Sequence, residues 1–338
     1  MEFKDIGEFG FIRRIQRGCL IRPEGVRLPI GDDAAAFIVP DGQVALVTTD
    51  LLVEGVHFLR NGTSPEDLGH KALAVNLSDI AAMGGTAREA FVSIAVPGDC
   101  ALAYVEGIYR GMISLAGEFG VNILGGDTTG SRSDLIINVA VVGAVHEREM
   151  LRRGGARPGD CLFVTGAVGD SRAGLHLLRN RLPADSDAFM ELLSAHHRPR
   201  PHLAEGRFLG KSGAVRAAID ISDGLSSDLV HVARASGLGV RIDAGRLPIS
   251  ENLKTFCRRF GFDAVDYALS GGEDYVLACT VDPTKAAAVA QAFMARFHHP
   301  LYHIGKMTSD GRMTVVQGGE VRPFPPAGWR HFSETEEL

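Results

Sequence analysis

The chain has 338 residues, 45% hydrophobic and 22% charged, with 41 acidic and 35 basic side chains giving a formal net charge of −6. That is ordinary globular usage, enough for one large domain or two of average size, and its negative balance is wrong for a protein that seeks nucleic-acid phosphates. No apolar run approaches the roughly 20 residues that span a bilayer. The longest, Leu135 to Val145, is strand-sized and broken by Asn138 and Gly143, so no membrane role is expected. Met1 to Asp5 lacks the basic region and apolar core of a secretion signal. Five scattered cysteines without a CxxC read as reduced thiols of a cytoplasmic protein.

Apolar periodicity predicts strands at Val44–Thr48, Ala90–Val96, Leu135–Val145, Cys161–Thr165, Ala217–Ile221, Val240–Asp243 and Tyr275–Val281. Helical patterns fall at Pro65–Met83, Ala101–Phe119, Ser171–Asn180, Leu225–Ala235 and Pro283–Phe297. Several strands follow one another without a helix between them. The expectation is therefore an α/β (α+β) protein of mixed sheets with helices on one face, not a doubly wound sheet. Arg152 to Asp160 is polar and turn-rich, which puts a domain boundary there and divides the chain into 1–150 and 151–338.

Aspartates recur where strands or turns meet loops or helices: Gly31-Asp32-Asp33, Thr48-Thr49-Asp50, Gly125-Gly126-Asp127-Thr128-Thr129 and Asp220-Ile221-Ser222-Asp223. Asp79 lies within a helical pattern, three residues after Asn76 and on the same face. Any one segment reads as a turn or cap. As a set, flanked by Leu46, Val47, Ile123, Leu124, Ile219 and Ile221, the acids are expected at the ends of buried strands. If four converge within about 5 Å, each like-charge pair costs about 3 kcal/mol at an effective dielectric near 20. Hard oxygen donors without Cys or His pairs select Mg²⁺, which shares itself with substrate phosphates. There is no Walker A sequence, protein-kinase motif set or Rossmann fingerprint. The residues alone thus indicate metal-dependent phosphate chemistry.

The motifs resemble those of the thiamine-monophosphate kinase family. The resemblance rests on Gly31 to Ala35, Thr48 to Phe58, Lys71 to Gly84, Gly125 to Thr129, Val164-Thr165-Gly166, Ile219 to Leu225, Ser270 to Tyr275 and Gly328 to Phe332, in order along the chain. It implies a two-domain PurM-like architecture, shared with aminoimidazole ribonucleotide synthetase and selenophosphate synthetase. The N-terminal domains would pair into a homodimer and bind ATP and Mg²⁺. Carried over by position, Asp33, Thr48, Thr49, Asp50, Asp79, Asp127, Asp220 and Asp223 would be metal ligands. Gly126, Asp127, Arg153 and Ser222 would contact ATP. His57, Glu273 and Trp329 would contact thiamine monophosphate. Asp32, Lys71 and Asn76 match the motifs without an assigned contact. The segment His196 to Pro201 reads as a rigid connector outside the site. Selenophosphate synthetases carry a reactive Cys or selenocysteine followed by a lysine, a context that Gly18-Cys19-Leu20 lacks.

The implied reaction is direct in-line attack by an acceptor phosphate oxygen on the γ-phosphorus of ATP, with no covalent nucleophile and no general base. Two other readings stay open at this point. One is another ATP-dependent synthetase of the superfamily, working through an iminophosphate. The other is a non-catalytic module that binds magnesium and nucleotide.

Overall fold

A computed structural model describes residues 14–28, 36–324 and 327–328. They separate into two compact units, one within Met1–Ala81 and Gly85–Met150, the other within Ala82–Gly84 and Leu151–Leu338.

The first unit is built on a four-stranded mixed sheet. Its strands are β3 (Gln43–Val53), β4 (Thr86–Pro97), β5 (Asn122–Ser131) and β6 (Ile136–His146), in the order β3-β6-β4-β5. β5 runs parallel to β4 and the other pairs are antiparallel. A short hairpin of β1 (Val26–Leu28) and β2 (Ala36–Phe37) stands apart from it. Two 18-residue helices, α1 (Pro65–Ala82) and α2 (Leu102–Phe119), complete the unit. Helix α1 begins where Ser64 Oγ accepts from Asp67 N at 3.1 Å, with Pro65 at the first helical position and Glu66 and Asp67 in the first turn. Leu68, Leu73, Leu77 and Ile80 are buried to 1% exposure or less, each contributing about 1.5–3 kcal/mol.

The alternation along β3 decides what that sheet presents. Leu46 and Leu52 are buried while Val47 and Leu51 are 72% and 52% exposed. One face is core and the other carries exposed apolar side chains.

The second unit holds a seven-stranded mixed sheet of β7 (Cys161–Val164), β8 (Val215–Asp220), β9 (Gly239–Asp243), β10 (Leu277–Val281), β11 (Tyr302–Thr308), β12 (Met313–Gln317) and β13 (Glu320–Pro323). Their order is β13-β12-β9-β11-β7-β10-β8, with only β12 and β9 parallel. Its helices are α3 (Asp170–Arg179), α4 (Asp187–His197), α5 (Leu203–Lys211), α6 (Leu225–Ser236), α7 (Glu251–Phe260), α8 (Ala264–Ser270) and α9 (Ala286–Phe297). Leu225, Leu229 and Val232 of α6 pack with Leu162, Ile219, Val240 and Ala278 of the sheet. A separate aromatic cluster of Phe189, Phe256 and Tyr267 joins α4, α7 and α8.

Two expectations are corrected. Thr48-Thr49-Asp50 and Gly126-Asp127 lie inside β3 and β5, not at strand ends, because the strands run several residues past their apolar stretches. His196 and His197 finish α4 instead of opening a connector. Ser186 caps that helix, its side chain accepting from Phe189 N, so the helix runs far enough to include both.

Candidate active site

In the first unit, Thr48 and Asp50 share a face of β3 with Leu46 and Leu52. Thr48 Oγ1 donates to Asp79 Oδ2 of α1. Burial pushes the Asp50 carboxyl up to about 6, and the charge of Asp79 adds to the shift. Thr49 points to the opposite face, where its Oγ1 accepts from Asn138 Nδ2 at 2.9 Å; the same amide donates to the Asp50 carbonyl at 3.1 Å.

Asp127 stands elsewhere. Asp50 pairs with Val139, Val139 with Val92, and Val92 with Gly126. Asp127 is therefore three strands away from Asp50, about 14 Å across. It is exposed beside Ser93, in the row that continues through Asn138 to Leu51 on the exposed face. Gly126 is fixed by the sheet. Its φ is +150° and a Cβ there would lie 1.7 Å from the Val92 carbonyl oxygen. Convergence of four acids is thus not what the register produces. Among the described residues no three His, Cys, Asp or Glu side chains form a metal-binding group. Asp32 and Asp33 lie outside the described residues. Lys71 and Asn76 are buried on α1, where Asn76 Nδ2 donates to Ala72 O at 3.2 Å.

His57 sits in the turn after β3. Its own N–H donates to Val53 O at 2.9 Å, and Val53 N donates back to its Nδ1 at 3.0 Å. With Nδ1 accepting, the neutral ring carries its proton on Nε2, which makes it a hydrogen-bond donor suited to a phosphate oxygen.

The second unit brings three of the sequence motifs together. Asp220, 3% exposed, ends β8. The turn that follows is organised by Asp228 of α6, whose Oδ2 accepts from Ser222 N at 3.1 Å, Asp223 N at 3.2 Å and Gly224 N at 3.0 Å. Burial, then the charges of Asp220 and Asp223, push the Asp228 carboxyl up to about 8. The Gly271–Tyr275 loop is stitched onto this turn. Glu273 N donates to Ser222 O at 2.7 Å and Tyr275 N donates to Ile221 O at 2.8 Å. Both residues have positive φ, 63° and 51°, a cost of order 1–3 kcal/mol each that surrounding contacts must hold. Asp274 between them accepts from Gly169 N at 2.7 Å and Ser171 N at 3.4 Å. Burial holds its carboxyl well above the usual range. The third motif is the tail: Ala327 N donates to Ser226 Oγ at 3.3 Å and Gly328 N to Ser227 Oγ at 3.0 Å. A Cβ on Gly328 would lie 1.9 Å from the Asp223 carbonyl oxygen. Trp329, the next residue, lies outside the described residues. Arg153 is exposed, next to Arg152, whose carbonyl accepts from Ala218 N at 2.8 Å.

Sequence reasoning missed Asp228 and His196. Asp228 had a signal in its place in the first turn of a helix directly after a Ser-Asp-Gly turn. His196 had none, since its partners Ser171 and Glu273 are 25 and 77 positions away.

Two family matches define the class of protein. Residues 31–145 match the family described as AIR synthase related protein, N-terminal domain, and residues 157–318 match AIR synthase related protein, C-terminal domain. The chain is 39% identical over 329 residues to the thiamine-monophosphate kinase of Escherichia coli strain K12, covering 97% of this chain and 98% of that one. It is 36% identical to that of Aquifex aeolicus strain VF5, covering 98% and 100%. The chain belongs to the thiamine-monophosphate kinase family. Among solved structures, it matches thiamine-monophosphate kinase from Stenotrophomonas maltophilia K279a with a TM-score of 0.83 at 34% identity, over 93% of this chain and 98% of that one. It matches AaThiL complexed with AMPPCP and TMP with a TM-score of 0.77 at 33% identity, over 98% and 99%.

Proposed function

We propose that this chain is an enzyme that transfers the γ-phosphoryl group of ATP to thiamine monophosphate, giving thiamine diphosphate and completing the synthesis of that coenzyme. The observation that carries this reading is near-full-length kinship with thiamine-monophosphate kinases, one of them solved with AMPPCP and TMP. The relatives at 35–39% identity favour this over the synthetase and sensing-module readings.

An oxygen of the acceptor phosphate attacks the γ-phosphorus, and the bond from that phosphorus to the ADP oxygen breaks. The attacking oxygen is already anionic near neutral pH, since a phosphate's second pKa is about 6. The difficulty is repulsion between two polyanions. Magnesium, when bound, supplies charge neutralisation and a template for in-line geometry. The residues fit such an ion: burial raises the Asp50 carboxyl and the charge of Asp79 adds to it, so Asp50 and Asp79, with Thr48 beside them, are hard oxygen donors whose charge a cation would offset. Asp33 is the further ligand of that ion in this reading, while Thr49 and Asp127, on the opposite face of the sheet, would hold metal separately. Asp220 and Asp223, whose charges add to the burial that raises Asp228, hold metal at the second unit in this reading. Gly126, Asp127, Arg153 and Ser222 bind ATP. His57 donates from Nε2 to the acceptor phosphate, and Glu273 and Trp329 bind its organic half.

Residues 1–150 then form the ATP- and magnesium-binding domain and pair as a homodimer; residues 151–338 form the second domain. The exposed apolar face of β3, with Val47 and Leu51, supports that pairing. Asp127 stands on the same face. A cytoplasmic location fits the free cysteines and the finding that, among described residues, no helix is long and apolar enough to cross a membrane.

The direct test is to mix the protein with Mg·ATP and thiamine monophosphate and assay thiamine diphosphate. ATP turnover that does not depend on thiamine monophosphate would overturn the reading. The tail offers a second test. Gly328→Ala cannot keep its seat on the Asp223 carbonyl, so Trp329 should lose its place over the acceptor. An indole–cation contact contributes about 0.5–2 kcal/mol, so KM for thiamine monophosphate should rise roughly 2- to 30-fold with KM for ATP unmoved. Equal rises in both constants would count against this role of the tail.

A further inference from the structure

We infer that His196 is a positioning residue that holds the Glu273 carboxylate toward the organic half of the acceptor. His196 closes α4 with only 4% of its side chain exposed. Its Nδ1 lies 3.2 Å from Glu273 Oε2 and 3.2 Å from Ser171 Oγ. Ser171 is fixed in turn, since its N–H donates to the buried Asp274 carboxylate at 3.4 Å. Glu273 is the exposed end of this chain of contacts, with 27% of its side chain open.

The backbone explains why the carboxylate needs such a hold. Glu273 has a φ of 63°, so its position is set by the loop and not by an element of regular structure. The backbone is pinned through Glu273 N to Ser222 O, which leaves the side chain as the variable part. A rotamer-rich Glu side chain on a loop loses entropy when it is ordered at a ligand. A buried imidazole that orders it beforehand removes that cost. The chemistry of the ligand follows from charge. A carboxylate beside the acceptor's phosphate would be repelled, so Glu273 serves amine donors and the permanent cation of the acceptor's organic half. This inference rests on the reading that Glu273 contacts the acceptor.

The test separates the two ideas. Glu273→Gln should raise KM for thiamine monophosphate about 10- to 100-fold, as for a charge-assisted hydrogen bond, with KM for ATP within about twofold. His196→Leu should raise the same constant about 2- to 13-fold, by the part of that interaction that ordering supplies. The double variant should be no worse than Glu273→Gln, because the two act through one contact. His196→Asn places an amide nitrogen where Nδ1 stands and should return to within about threefold of wild type; His196→Gln keeps bulk but moves the donor and should not. If His196→Leu does not fold, the Asn–Gln pair decides. A shifted Glu273→Gln with unshifted His196 variants overturns the positioning role alone. An unshifted Glu273→Gln overturns both it and the contact on which it rests. Additive losses, or equal effects of Asn and Gln, reduce His196 to a packing residue and overturn the inference.

Discussion

Asp79→Asn should lower turnover by at least about a thousandfold while leaving the fold intact. A metal's stabilisation of transition-state charge is worth several kcal/mol, and about 4 kcal/mol is a thousandfold in rate. The substitution is nearly isosteric, and the Thr48 hydroxyl that donates to Asp79 Oδ2 can donate to the amide oxygen instead. Without metal the variant should be no less stable than wild type at pH 7. Asp50 titrates at about 6 in the fold, raised by burial and then by Asp79, against about 3.9 unfolded. Its contribution is fully present below about 3.9 and is lost as pH rises through about 6. Removing the Asp79 charge relieves part of that loss. Magnesium should therefore raise the melting temperature of wild type at neutral pH, by mass action on the folded state, and raise that of Asp79→Asn much less. Circular dichroism melts with and without metal, beside a turnover assay, check both halves. A variant that unfolds at room temperature would give Asp79 a structural role, and one that retains full activity would remove it from the metal site.

What the sequence could tell differed between the two units for physical reasons. The long helices and most strands of the first unit announce themselves by apolar periodicity, as at Pro65–Ala82 and, despite Asn138 and Gly143, at Ile136–His146. β5 does not: Gly125-Gly126-Asp127-Thr128-Thr129 has the composition of a turn, and only pairing with β4 makes it a strand. That pairing also decides where Asp127 points, since a strand's neighbours are set by register and register is a property of the sheet. Helices α4, α5, α7 and α8 passed unnoticed because they are short and half-exposed, with Met190 and Phe262 facing water at and near their ends. The site divides the same way. Motif order placed Asp220, Ser222, Asp223 and Glu273 in one expected site, with metal, ATP and acceptor roles. Their meeting through Glu273 N and Ser222 O is a hydrogen bond across fifty-one positions of chain. His196 makes the point most sharply. Its neighbours Pro199 and Pro201 describe a stiff connector, and nothing in the local sequence says that the ring turns inward to Ser171 and Glu273.

Thiamine without its phosphate should be turned over at least about a thousandfold more slowly than thiamine monophosphate. The monophosphate brings an oxygen that is anionic at neutral pH, because its second pKa is about 6. The alcohol of thiamine must lose a proton held roughly as tightly as that of water, whose pKa is about 15.7. A positioned base can make up about 10²- to 10⁴-fold of such a deficit, so everything turns on whether the acceptor pocket has one. The histidine placed there is in the wrong state. Val53 N donates to His57 Nδ1 at 3.0 Å, which occupies the ring's lone pair and leaves the proton on Nε2. That nitrogen can steady a phosphate and cannot take a proton from an alcohol. Glu273, the carboxylate proposed to contact the acceptor, is held to His196 through Oε2 and in that proposal faces the opposite, organic end of the molecule. Removing the acceptor phosphate also removes the group that bound metal would clamp against ATP, so orientation fails together with nucleophilicity. The comparison needs only product assays of both acceptors at saturating Mg·ATP. His57→Asn should weaken thiamine monophosphate binding without changing the ranking, since the ring supplies a hydrogen bond and not a base. Turnover of thiamine within tenfold of the monophosphate would require a proton acceptor at the hydroxyl and would overturn the direct phosphate-to-phosphate mechanism.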